Sequence, residues 1–154
     1  MGVSGSGKTL VGKLLSGALG LPFFDGDDFH PEENIQKMAG GIPLDDKDRK
    51  GWLIALNRLA LEHRGKGAII ACSALKRTYR SLLGAGMGES IAFIHLKGSF
   101  ELIKSRMEQR KGHFMPLELL RSQFDALEPP SKALTVSIDQ SPEGIVEEIL
   151  KRLQ

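Results

Sequence analysis

The 154-residue sequence contains one cysteine, Cys72, so it can form no internal disulfide, a scarcity that fits a reducing compartment. It has no excess of either charge: 21 Lys and Arg stand against 19 Asp and Glu, a formal net charge of +2. Nothing in that balance calls for nucleic acid or an anionic membrane surface as a partner. No apolar run approaches the roughly 20 residues that span a bilayer. The first residues lack the basic-then-apolar pattern of a secretory leader, which makes a cytoplasmic protein the expectation. The histidines are not spaced as metal ligands, and there is no internal repeat. What remains is ordinary globular composition, 41% hydrophobic and 26% charged, with room for a single domain over residues 1–154.

Short apolar runs alternate with longer amphipathic stretches. Residues 21–24, 67–72, 90–96 and 134–138 read as strands, and their unbroken apolar character suits a parallel sheet covered on both faces. Helical spacing is predicted over 8–19, 48–63, 100–110, 116–127 and 142–153, with Pro116 and Pro142 in first turns. Strands alternating with helices give an α/β domain of three layers.

The run Gly2, Val3, Ser4, Gly5, Ser6, Gly7, Lys8, Thr9 has the spacing G-x-x-x-x-G-K-[ST]. Small residues let the backbone wrap so that successive N–H groups point at one anion. Lys8 then reaches the β and γ phosphates of ATP, and Thr9 offers its hydroxyl to Mg²⁺. The following helix aims the positive end of its dipole at the same place. Such a loop follows a buried strand, yet only Met1 precedes Gly2. The expectation is a P-loop fold whose first strand is missing, with Met1 an internal methionine and further apolar residues upstream.

Phe24-Asp25-Gly26-Asp27 sets two carboxylates at the carboxyl end of a short strand, the edge where open α/β sheets bind ligands. Strand alternation predicts that Asp25 and Asp27 face the same side. Asp27 can orient or deprotonate a hydroxyl, and Asp25 can hold Mg²⁺ through water. Alone, the pair reads equally as a solvated acidic turn.

Several strings occur together in order: Asp25-Gly-Asp27, His30-Pro31-Glu-Glu-Asn34, Lys37-Met38, Pro43-Leu44, Asp48-Arg49, Trp52, Cys72-Ser-Ala-Leu-Lys76, Tyr79-Arg80 and Gly112-His113-Phe114. Across nearly the whole chain they resemble the gluconokinase family, a branch of the nucleoside-monophosphate-kinase-like P-loop proteins. The resemblance implies MgATP-dependent phosphorylation of D-gluconate at its 6-hydroxyl by a homodimer. It departs at Gly51, where the family more often has proline, and at the absent first strand. Two other readings stay open: a kinase for another small hydroxy acid or a nucleotide, and a truncated, catalytically silent nucleotide-binding protein.

The remaining candidates are cations and one histidine. Arg49 matches the region where the related shikimate kinases hold a substrate carboxylate, a task suited to its planar fork. Lys76 and Arg80, four apart, are predicted to share one helix face and one anion. His30, before Pro31 at a helix start, can donate to a gluconate hydroxyl or serve only in packing. Arg106 and Arg110, with Lys111-Gly112-His113-Phe114 behind them, look like a lid over about 106–118, one Arg on adenine and one on phosphate. Cys72, at a strand end, reads as core.

Overall fold

The computed structural model describes residues 1–110, 112 and 115–154. The elements alternate as the apolar runs predict. They are α1 (Lys8–Leu19), β1 (Phe23–Asp25), α2 (Glu32–Ala39), α3 (Asp46–Glu62), β2 (Ile69–Ala71), α4 (Arg77–Leu83), β3 (Ile94–Lys97), α5 (Phe100–Gln109), α6 (Leu117–Ala126), β4 (Leu134–Ser137) and α7 (Pro142–Leu153). Short 3-10 turns follow β1 at Gly26–Phe29 and precede β3 at Gly88–Ser90.

The boundaries have local causes. Helix α3 starts two residues earlier than its apolar spacing indicates, because Asp45 and Asp48 form a reciprocal capping box. Ser99 caps α5 and Ser141 caps α7, where Pro142 fills the first turn. Helix α1 ends on Gly20 at φ +66°, a left-handed cap. Strand β3 begins only at Ile94, since Ser90 belongs to the 3-10 turn and its N–H goes to Met87.

Pairing is parallel throughout. β1 lies on β2 in the register Phe23 with Ile69 to Asp25 with Ala71, and β3 on β4 from Ile94 with Leu134 to Lys97 with Ser137. The crossovers between partners carry helices, as parallel strands require. Among the described residues the two pairs share no common strand. The backbone of Met1 and Gly2 connects the two sides: Leu96 donates to the Met1 carbonyl at 2.9 Å and Gly2 to the Ser73 carbonyl at 3.1 Å. Beneath that contact runs an apolar slot of about 360 Å³, walled by Val11, Leu15, Ile70, Cys72, Phe93 and Ile94.

The core divides accordingly. One cluster gathers Val3, Val11, Leu15, Leu96, Ile103, Val136 and Ile149 around the β3–β4 pair. The other gathers Trp52, Leu53, Leu56, Cys72, Tyr79 and Leu83 behind β2. Full burial of each such large side chain contributes about 1.5–3 kcal/mol. Cys72 is buried, and burial pushes its thiol up to about 11, so it packs as a small apolar group. Between the clusters passes the segment Cys72 to Lys76, with Ala74 in the second cluster's interior and Leu75 in the first's.

Candidate active site

The glycines of the first loop make its curvature. Gly5 and Gly7 sit at φ +77° and +91°, where a side chain is strained. A Cβ on Gly5 would come within 2.9 Å of Met107, so α5 lies against the back of the loop. Around Gly7, which caps α1, nothing lies within 4 Å of an added Cβ, leaving the concave side open. Ser6 Oγ is buried and has no hydrogen-bond partner among the described residues. Open space, backbone donors at a helix N-terminus and an orphaned hydroxyl suit a polyphosphate.

Lys8 folds back onto the loop, its Nζ donating to the Val3 carbonyl at 2.9 Å. Burial pushes its pKa down, and the negative charge of Asp27 works against that shift. Thr9 Oγ1 donates to Asp25 Oδ2 at 2.8 Å, tying α1 to the end of β1. Asp25 also accepts the Asp27 N–H through Oδ1 at 3.0 Å and so caps the 3-10 turn. Because β1 ends at Asp25, strand alternation does not set the direction of Asp27. The turn does, and it brings the two carboxylates together by a route that alternation does not describe. Desolvation raises the pKa of Asp27 first, Asp25 raises it further, and Lys8 lowers it. A base with a raised pKa beside a cation suits taking a proton from a hydroxyl.

The turn is braced from below. Trp52 Nε1–H donates to the Gly26 carbonyl at 2.7 Å. Gly26 itself leaves no room: an added Cβ would meet the Ala71 carbonyl at 2.5 Å. His30 stacks on Trp52 with centroids 4.1 Å apart. Asn34 Nδ2 donates to His30 Nδ1 at 3.2 Å and to the Asp48 carbonyl, so the imidazole is neutral with its proton on Nε2. Burial, then Arg49, hold its pKa down to about 4.

A cleft of about 420 Å³ opens between the start of α3, Lys76, Tyr79 and α6. Arg49 and Lys76 both line it; His30 and Arg80 do not. Arg49 lies 5.4 Å from the centre of the Tyr79 ring and donates through Nε to the Leu44 carbonyl. Asp46 accepts from the Tyr79 hydroxyl and from Lys76 Nζ, the latter at 2.9 Å. The structure does not bring Lys76 and Arg80 to one anion. Lys76 precedes α4 as its N-cap, while Arg80 turns inward to the carbonyls of Ala74, Leu75 and Glu128 at 2.8, 3.1 and 2.9 Å. Those bonds hold Ala74, the one non-glycine residue at positive φ among the described residues (+46°). Arg80→Met is therefore expected to lower Tm by about 4–8 °C, the effect of roughly 2 kcal/mol in a domain this size. The KM for acceptor should stay within about twofold, as checked by thermal melting beside steady-state kinetics; a large rise in KM with unchanged Tm would restore Arg80 to the site.

On the other side of the first loop, Gly5, Gly7, Arg106, Arg110, Gln140 and Pro142 surround a cleft of about 260 Å³. Arg106 is anchored by a 2.7 Å bond to the Ile138 carbonyl. Lys111, His113 and Phe114 of the expected lid lie outside the described residues. Sequence reasoning passed over Glu128 and Gln123, and offered Asp46 only as a surface partner of Arg49, whereas it takes Lys76 and Tyr79. Only Gln123 carries a local signal, a polar residue among Leu119, Leu120 and Phe124 on the packed face of α6.

The description "Shikimate kinase" belongs to the family model that matches residues 4–154. A probable gluconokinase of Xenopus tropicalis is 45% identical over 97% of this chain and 88% of its own length. The thermoresistant gluconokinase of Escherichia coli K12 is 48% identical over 95% of this chain and 86% of its own. The crystal structure of a gluconokinase from Sinorhizobium meliloti 1021 superposes with a TM-score of 0.90 at 43% identity, over 99% of this chain and 90% of that one.

Proposed function

The chain belongs to the gluconokinases within the shikimate kinase family of P-loop kinases, and from that premise we propose that it transfers the γ-phosphoryl group of ATP to the 6-hydroxyl of D-gluconate. The observation that carries the reading is the meeting of an open phosphate cradle, a raised-pKa carboxylate beside its lysine, and a separate cleft lined by Arg49 and Lys76.

In this reading the base of ATP occupies the cleft between Arg106 and Arg110, and its phosphates lie in the loop from Gly2 to Thr9. Lys8 leaves the Val3 carbonyl for the β and γ phosphates. Among the described residues no three His, Cys, Asp or Glu side chains gather into a metal site. Magnesium would therefore be held by the Thr9 hydroxyl and the nucleotide's own oxygens, with Asp25 behind Thr9; when bound it neutralises phosphate charge. Arg49 and Lys76 hold the gluconate carboxylate, which directs the far end of the molecule toward Asp27. Asp27 accepts the 6-hydroxyl proton as that oxygen bonds to phosphorus and the bond to the ADP oxygen breaks. Catalysis rests on positioning and on fixed charge.

A coupled ATP-consumption assay tests this. The kcat/KM for gluconate should exceed that for glucose by about 10²-fold or more, since the neutral sugar leaves the Arg49 guanidinium without an anion. Equal values for the two sugars would remove gluconate as the acceptor, and turnover confined to another hydroxy acid would relocate the substrate while keeping the kinase.

A further inference from the structure

Gln123 joins the two ligand sites in one side chain. Its Oε1 accepts the Ser4 N–H of the phosphate loop at 2.7 Å. The same residue lines the 420 Å³ cleft with Arg49, Lys76 and Tyr79. A backbone N–H can only donate, so the Ser4 contact fixes the amide: oxygen toward the loop, NH2 away from it. That NH2 group has no acceptor among the described residues, although the side chain is half-buried.

Some of the other donors at the cleft are already engaged. Lys76 and the Tyr79 hydroxyl both give to Asp46, and Ser122 Oγ gives to the Leu119 carbonyl at 2.7 Å. With Arg49, Lys47 and the two remaining N–H groups of Lys76, the amide of Gln123 is among the donors left at the cleft, and among the described residues it is the one also bonded to the phosphate loop. We propose that Gln123 is an acceptor-binding residue: its Nε2–H2 donates to a carboxylate or hydroxyl oxygen of the acceptor while its Oε1 holds the Ser4 N–H. It thereby sets the distance between the acceptor and the phosphate loop. The acceptor's chemistry follows from the donors, an oxygen-rich anion with at least one oxygen for the amide and another for Arg49. This assignment rests on the proposed kinase reading, and its failure can be told apart from the failure of that reading.

Two replacements separate the two halves of the amide. Gln123→Glu keeps an oxygen for Ser4 and removes the donors. Gln123→Met keeps the length, adds no charge and removes both. Each is assayed with gluconate and ATP beside the unmodified protein, and gluconate binding is followed calorimetrically with a non-hydrolysable ATP analogue present. Both replacements should raise the KM and the Kd for gluconate by about tenfold or more, the loss expected for a hydrogen bond to a charged partner. In Gln123→Met the KM for ATP should stay within about threefold. A rise in Gln123→Glu alone would mean charge repulsion, and a rise in Gln123→Met alone would mean that only the Ser4 bond matters; either overturns the proposal, as do unchanged values in both. If the unmodified protein itself leaves gluconate untouched, the acceptor assignment falls instead.

Discussion

Asp27→Asn is expected to lower kcat by about 10²-fold or more while the KM for ATP changes little. The replacement keeps the shape of the side chain and its place in the Gly26–Phe29 turn, where the backbone N–H of residue 27 still reaches Asp25. It removes the proton acceptor and one negative charge beside Lys8. The same residue carries a pH signature. Desolvation and Asp25 hold the Asp27 pKa above the usual carboxylate value. Turnover should therefore fall on the acid side at a higher pH than an ordinary aspartate dictates, and the asparagine variant should lack that limb. Stability runs the other way. Between the unfolded and the folded pKa the native state binds more protons than the unfolded chain, so stability falls as pH rises through that interval, and the penalty is fully present above it. At neutral pH the asparagine variant should melt higher, not lower, than the unmodified protein. Near-normal turnover, or a clear loss of Tm, would end the assignment of Asp27 as base.

Lys8→Met is expected to damage binding and chemistry together: ATP affinity down by about tenfold or more and kcat down by about 10³-fold. Lys8 lies where the phosphate loop meets the acidic turn, bonded to the Val3 carbonyl at 2.9 Å and opposite Asp27. Removing it strips the β and γ phosphates of their cation. It also removes the positive charge that lowers the Asp27 pKa, so the acid limb of any residual activity should move to higher pH. Lys8→Arg should not rescue it, because a planar fork does not replace a compact ammonium inside a closed loop. Nucleotide titration by calorimetry, paired with rates at saturating ATP, distinguishes this variant from Asp27→Asn, which should still bind ATP. Retention of even a tenth of the normal rate would show that the loop's backbone alone carries the phosphate chemistry.

The parts of the site that lie close together in sequence were legible there. The loop from Gly2 to Thr9 is written as a spacing, and the acidic pair follows a short apolar run. The alternation of apolar runs and amphipathic stretches marked most of the elements. What escaped depends on long-range closure. Nothing local says that Asp46 will take up Lys76 and the Tyr79 hydroxyl, since thirty residues or more separate these partners. Nor does spacing say where Arg80 turns: four residues from Lys76 promises a shared face only if both lie within the helix, and Lys76 lies just before it. The start of α3 is hidden for a different reason. Apolar periodicity marks where a helix is buried, whereas the Asp45–Asp48 capping box marks where it begins. Asp27 lies two residues past the end of β1, where strand alternation no longer sets a side chain's direction.

The division of the interior into two clusters has a mechanical meaning. The phosphate loop leaves the first cluster at Val3, and the acidic turn rests on the second through Trp52. The segment from Cys72 to Lys76 passes from one cluster to the other, stapled by Arg80 at its left-handed Ala74. In the proposed reading, ATP on Lys8 and gluconate on Arg49 together span the same gap non-covalently. The pair acts as a rivet: part of its binding free energy goes into fastening the two clusters, whose local openings then become one cooperative event. The rigidity needed for in-line transfer is, on this account, a property of the complex, supplied by the molecules that react.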